Sequence, residues 1–188
     1  MTAQEKAKKV AEYKRMGFII CHFDGATQPT NPDGHMGVGA VIELPDGKKH
    51  EYSHHIPARK GNTNNIAEYM GFTWILQKLL FLGLHERPKV IFGDSMMVVM
   101  QMNRKWKIKE GGYVEYANEC LAFVKDFKNT QVVWIPRELN TEADALSTKK
   151  IKQFMNQKIY SKPKNKKHGI HGSRKVQGFK GKHIGFRK

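Results

Sequence analysis

Acidic residues are scarce in this chain, and from position 151 to the end they are missing altogether. Over its 188 residues it holds 17 Asp and Glu against 33 Lys and Arg. Residues 151–188 carry 12 of the basic residues and no acid, so the first 150 are nearly balanced at a net charge of +4. The charge is therefore an arm appended to an ordinary domain, and the simplest partner for such an arm is a phosphate backbone. Cysteine is also scarce. Cys21 and Cys120 lie far apart in apolar runs, which fits two reduced core thiols in a cytoplasmic, reducing compartment rather than a disulfide. No Cys/His set has zinc-ligand spacing. No run approaches the ~20 apolar residues of a membrane-spanning helix. The N-terminal MTAQEKAKKVAEYKRMG lacks the apolar core of a secretory signal, so no membrane partner is expected.

What is present is a core and a regular alternation of element signals. The hydrophobic content of 39% suffices for one domain of ordinary size. Residues 1–17 read as a weakly held leader helix. FIICHFDGA (18–26) reads as a strand, and GVGAVIEL and HEYSHHI flank the hairpin turn PDG at 45–47. NTNNIAEYMGFTWILQKLLFLG offers Asn and Thr caps, a helical period and a terminating Gly83. PKVIFGD is a fourth strand and SMMVVMQMN a short helix. YVEYANECLAFVKDF is an amphipathic helix, QVVWIP a fifth strand, and NTEADALSTKKIKQFM a last helix capped by Asn140. The order βββαβααβα implies an α/β domain over 18–155, a mixed sheet flanked by helices. Residues 156–188 form the basic arm, with disorder expected from Lys162 onward in the absence of a partner.

Four carboxylates stand in awkward places. Asp24 and Asp94 each end an apolar strand, and parallel neighbouring strands would bring both to the same side of the sheet. Glu68 shares a helical face with Phe72, Ile75 and Leu79, a stripe built for the core. Asp144 lies in the first turns of the last helix, where acids are well tolerated. Each alone reads as a cap or a solvated residue. Together they can converge in one cleft, where mutual repulsion would be costly without cations, and hard divalent ions with oxygen ligands relieve it.

FDGA on the first strand, TNNIAEY opening the long helix, GDSMMVV after the fourth strand and WIPRELNTEADALS near the end resemble the type 1 ribonuclease H family. The resemblance covers about residues 18–150. It implies a ribonuclease H-like fold, a five-stranded mixed sheet in the order 3-2-1-4-5. It also implies a metal-dependent endonuclease that hydrolyses the RNA strand of RNA–DNA hybrids and leaves 5′-phosphate and 3′-hydroxyl ends. Asp24, Glu68, Asp94 and Asp144 stand at the family's metal-ligand positions for two Mg²⁺, with Mn²⁺ as the alternative ion. Gly25, Asn31, Thr63, Asn64 and Asn65 are the candidates for reading 2′-hydroxyls and phosphates. The segment NRKWKIKEGG (103–112), including Asn103 and Trp106, is the candidate grip on the DNA strand. The loop before Asp144 lacks the histidine of many bacterial members and resembles the archaeal and plant-like subgroup, leaving Arg137 and Glu138 as auxiliary candidates. The separate basic protrusion is also missing, and the C-terminal arm would supply part of its grip. Double-stranded RNA is a second candidate substrate. A monomer is the expected state. The competing readings are another nuclease on the same fold, a junction resolvase or exonuclease, and a catalytically silent nucleic-acid-binding module.

Overall fold

A computed structural model describes residues 1–160, without the side chains of 158–160. Its element order is α1 (Ala3–Arg15), β1 (Ile19–Gln28), β2 (His35–Glu43), β3 (Lys49–Ile56), α2 (Asn64–Phe81), β4 (Lys89–Gly93), α3 (Met96–Met102), α4 (Val114–Val124), β5 (Thr130–Trp134) and α5 (Thr141–Tyr160). A single 3₁₀ turn, Arg137–Leu139, joins β5 to α5. The five strands lie in the order β3-β2-β1-β4-β5, as the resemblance implies. β1 and β2 and then β2 and β3 pair antiparallel, whereas β4 pairs parallel to both β1 and β5. Crossover helices α2 and the α3–α4 pair make the parallel pairings possible, because a parallel neighbour cannot be reached through a tight turn.

Alternation along β1 divides the core. Ile19, Cys21 and Phe23 pack beneath α2 and α4, against Phe72, Ile75, Leu79 and Cys120. Ile20, with Val90, Phe92 and Ile135, packs on the other face, where Val10 and Tyr13 of α1 close over them. The cysteines are buried and free, as expected of core thiols. The hairpin at 45–47 turns as its PDG sequence directs, with Gly47 at φ 86° and its amide donating to the Leu44 carbonyl. Gly83, at φ 69°, ends α2.

Two expectations need revision. Helix α1 is not weakly held. Thr2 and Glu5 form a capping box at its start. The Tyr13 hydroxyl donates to Gln131 at 2.7 Å, Lys14 pairs with Glu43 at 2.5 Å, and the Lys6 amine donates to the Leu139 carbonyl. The apolar residues Val10 and Tyr13 explain the docking, since they supply the cover that the α1 face of the sheet otherwise lacks. Asn140 does not spend its side chain on capping α5; its amide reaches into the site described next. The last helix runs on through Tyr160, so 156–160 are helical, and the remainder of the basic arm lies outside the described residues.

Candidate active site

Asp24 sits near the middle of β1 opposite Gly39 of β2 and is 3% exposed. Its depth follows from what surrounds it. A Cβ on Gly39 would come within 2.1 Å of the Ala143 carbonyl oxygen, so glycine there is what lets α5 lie directly on the sheet. On the other side, a Cβ on Gly25 would meet the backbone of Ala67 at 2.1 Å and of Glu68 at 2.2 Å. The start of α2 therefore presses onto β1 immediately beyond Asp24. Thr63 fixes that start, its hydroxyl accepting from the Ile66 amide at 3.3 Å.

This approach drives Glu68 into the interior at 7% exposure, and one of its oxygens, Oε2, is buried without a hydrogen-bond partner. Burial, then repulsion from Asp24 and Asp94, pushes its carboxyl well above the usual range, while the Gly25 amide opposes the shift. Asp24 is raised to about 7, first by burial and further by the Asp94 and Asp144 carboxylates, with the Ser147 hydroxyl pulling the other way. Asp94 follows β4; its Oδ1 accepts from Asn140 Nδ2 at 2.6 Å, and its carbonyl accepts from Trp134 Nε1 at 3.0 Å. Asp144, in the first turn of α5, accepts from Arg137 Nη2 at 2.5 Å. Asp24 thus lies close enough to feel Asp94 and Asp144, and Glu68 to feel Asp24 and Asp94, with Arg137 a cation acting on Asp144, Asp24 and Asp94.

Among the described residues, no three His, Cys, Asp or Glu side chains are spaced to close on an ion in this conformation. The hydrogen bonds explain why: Asp144 is drawn to Arg137 and Asp94 to Asn140. The donor set still suits a hard divalent cation. It consists of carboxylate oxygens, one of them buried and unpartnered, and burial followed by neighbouring carboxylates raises both the Asp24 and the Glu68 carboxyls. The Arg137 side chain that pairs with Asp144 is itself 72% exposed.

The remaining candidates divide by what already occupies them. Asn31 Oδ1 accepts from the Asn64 amide at 3.1 Å, and Asn64 Oδ1 accepts from the Thr27 amide at 3.2 Å, so the loop after β1 and the start of α2 form one polar edge beside Asp24. Asn65 is exposed on that edge. The Gly25 amide is directed to Glu68. Asn103 gives both its amide donations to the chain, to Val99 at 2.9 Å and Val132 at 2.8 Å. Trp106 is 50% exposed and walls a groove of about 600 Å³ with Lys105, Lys107, Lys109 and Tyr113. Glu138 is exposed and turned toward a second groove, under α1, that also holds Lys6 and Glu142.

Sequence reasoning missed two members of the site. Asn140 is 1% exposed and ties the Phe23 carbonyl of β1, at 2.8 Å, to the Asp94 carboxylate of β4. Its place before an acidic helix start imitates a cap, and only the packing reveals the second use. Ser147, fully buried, stands beside Asp24. It lies three residues past Asp144 on α5, and that helical spacing was the available signal.

The family model described as reverse transcriptase-like matches residues 22–150. The bifunctional protein Rv2228c of Mycobacterium tuberculosis is 32% identical over 129 residues, 69% of this chain and 34% of that protein, so the chain spans about a third of that relative's length. The solved N-terminal RNase H domain of Rv2228c is 27% identical, with a TM-score of 0.65, over 76% of this chain and 99% of that one. LC11-RNase H1, solved in complex with an RNA/DNA hybrid, is 32% identical, with a TM-score of 0.65, over 73% and 99% respectively. By the extent of these matches and by its strand order, the chain belongs to the reverse transcriptase-like family and carries the ribonuclease H fold.

Proposed function

We propose that this chain is a divalent-metal-dependent endoribonuclease that hydrolyses the RNA strand of RNA–DNA hybrids, leaving 5′-phosphate and 3′-hydroxyl ends. The observation that carries the reading is the pair of buried acids Asp24 and Glu68, with the Glu68 Oε2 unpartnered, both raised in part by Asp94, and Asp24 also by Asp144. The hybrid-bound relative supports the choice of substrate.

Asp24, Glu68, Asp94 and Asp144 would hold two Mg²⁺ or Mn²⁺. When bound, the ions would acidify the attacking water and offset charge on the departing 3′ oxygen. The chain's own residues place the parts. Asn140 holds the Asp94 carboxylate in one orientation, the Gly25 amide steadies one side of Glu68, and Ser147, whose hydroxyl donates to the Asp144 carbonyl at 2.8 Å, packs beside Asp24. Arg137 offsets part of the acids' charge by pairing with Asp144. The polar edge of Asn31, Asn64 and Asn65 would face the strand to be cut, where amides can bond 2′-hydroxyls, and Thr63 would meet a phosphate of the DNA strand. Lys105, Trp106, Lys107 and Lys109 grip the paired DNA strand. The basic arm from residue 160 adds a sequence-independent hold, so deleting 160–188 is expected to raise KM and flatten its salt dependence while kcat stays unchanged.

The test is cleavage of an end-labelled RNA–DNA hybrid with Mg²⁺, with Mn²⁺ and with EDTA, beside duplex DNA and a branched DNA. Internal cuts in the RNA strand that vanish in EDTA support the reading. Cleavage of the branched DNA alone would favour a resolvase, and binding without any cleavage a silent module.

A further inference from the structure

Helix α3 is rich in methionine, and its one interior amide is conspicuous. Gln101 is 3% exposed, and both ends of its side chain are engaged. Its Oε1 accepts from the hydroxyl of Tyr69, the residue after Glu68 on α2, and its Nε2 donates to the Lys107 carbonyl at 3.1 Å. The Tyr69 ring lies flat on Tyr113 at 5.6 Å, with 3° between the planes, so the far end of the same loop leans on the same residue.

The loop between Asn103 and Tyr113 has little structure of its own. It turns back at Arg104, at φ 58°, and the Lys105 and Trp106 amides both donate to the Met100 carbonyl. Gln101 then takes hold of its midpoint. Burying an amide is costly compared with a methionine of similar volume, unless its hydrogen bonds serve something. One of them satisfies the buried Tyr69 hydroxyl, and the other reaches out to the exposed loop. The residues whose positions they fix, Lys105, Trp106, Lys107 and Lys109, are exposed.

We propose that Gln101 is a positioning residue for nucleic-acid binding. It fastens the Trp106 loop to the turn of α2 that carries Glu68, and so sets the distance between the grip on one strand and the acids that act on the other. This rests on the hybrid-cleaving function proposed above. Because the tether runs to Tyr69 rather than to a carboxylate, losing it loosens the grip and leaves the chemistry intact.

The experiment compares the full chain with Gln101→Met and Gln101→Glu, measuring KM and kcat on an RNA–DNA hybrid across a salt series, with Tm alongside. Gln101→Met keeps the volume and loses both bonds, and Gln101→Glu keeps the acceptor for Tyr69 but sets an oxygen against the Lys107 carbonyl. Both are expected to raise KM by about tenfold, the scale of one lost base-stacking contact, with a shallower salt slope and kcat within about twofold. Added to Trp106→Ala, Gln101→Met should cost little more, since both act through one loop. An unchanged KM and salt slope in a folded variant overturns the proposal, as does a parallel fall of kcat and kcat/KM, or additivity with Trp106→Ala. If Gln101→Met does not fold, Gln101→Glu decides by the same criteria. A wild-type chain that cuts no hybrid would instead sink the functional reading, a result distinct from any of these.

Discussion

Strand β4 has a buried charge at its start and an acid just past its end, and the chain treats the two ends differently. At the start, Lys89 is fully buried, and its amine donates to the His85 carbonyl at 2.7 Å, the Lys128 carbonyl at 3.0 Å and the Thr130 hydroxyl at 3.5 Å. It also sits 5.5 Å above the Phe127 ring. Burial pushes its pKa down, and the neighbouring Cys21 and Glu86 partly offset that. At the other end, beyond Gly93, Asp94 joins Asp24 and Glu68 in a cleft where one buried carboxylate oxygen has no partner and like charges face each other. A buried charge that the chain itself satisfies is a staple: Lys89 pins the loops below the sheet. Buried acids that perturb one another, one of them short of a partner, are instead the usual mark of a functional site.

The comparison can be broken at either end. The largest expected effect is at Asp94. Asp94→Asn should lower kcat on a hybrid by roughly a thousandfold or more, as with other residues that act as one unit. Its Tm without metal should be unchanged or higher, because a repelling charge is gone. Near-normal cleavage by the purified variant would remove Asp94 from the site. At the opposite end, Lys89→Met should leave kcat per folded molecule unchanged but cost about 2 kcal/mol by orphaning two part-buried carbonyls, roughly 6 °C in Tm for a domain of this size. A small Tm change there would mean that water reaches those carbonyls.

A further effect is in the pH dependence of stability. Asp24 titrates at about 7 in the fold against 3.8 ordinarily, so the folded state binds the extra proton between those values. In EDTA, stability should therefore rise as pH falls from about 7 toward about 4, and Asp24→Asn should flatten that rise. Saturating Mg²⁺ should flatten it too, by favouring the ionised form. A metal-free chain whose Tm does not change across this range would show that Asp24 is better solvated than its burial implies.

Much of this was legible in the sequence because it depends on local patterns. Alternation, turn residues and caps mark five strands and their helices, and the apolar runs ending at Asp24 and Asp94 mark acids at strand positions that parallel pairing brings together. Glu68 was visible as the one charge in a helical stripe of Phe72, Ile75 and Leu79. Asn140 and Gln101 were not legible. Each reads locally as something ordinary, a helix cap and a polar residue in a short helix, because its partner is distant in sequence: Asp94 is 46 residues away and Tyr69 is 32. Helix α1 was misjudged for the same reason, since its composition says helix and only the uncovered face around Phe92 says where it docks.

By itself the sequence determined the elements and their order, and it singled out four acids as candidates, because periodicity and strand ends are properties of neighbouring residues. Tertiary structure alone decided which polar atoms are satisfied. The close approach of α2 to Gly25 and of α5 to Gly39 buried Asp24 and Glu68, sent Asn140 to Asp94 and Arg137 to Asp144, and left Glu68 Oε2 without a partner. Burial and hydrogen bonding depend on what the rest of the chain brings to a residue, and that is fixed only when the helices close on the sheet.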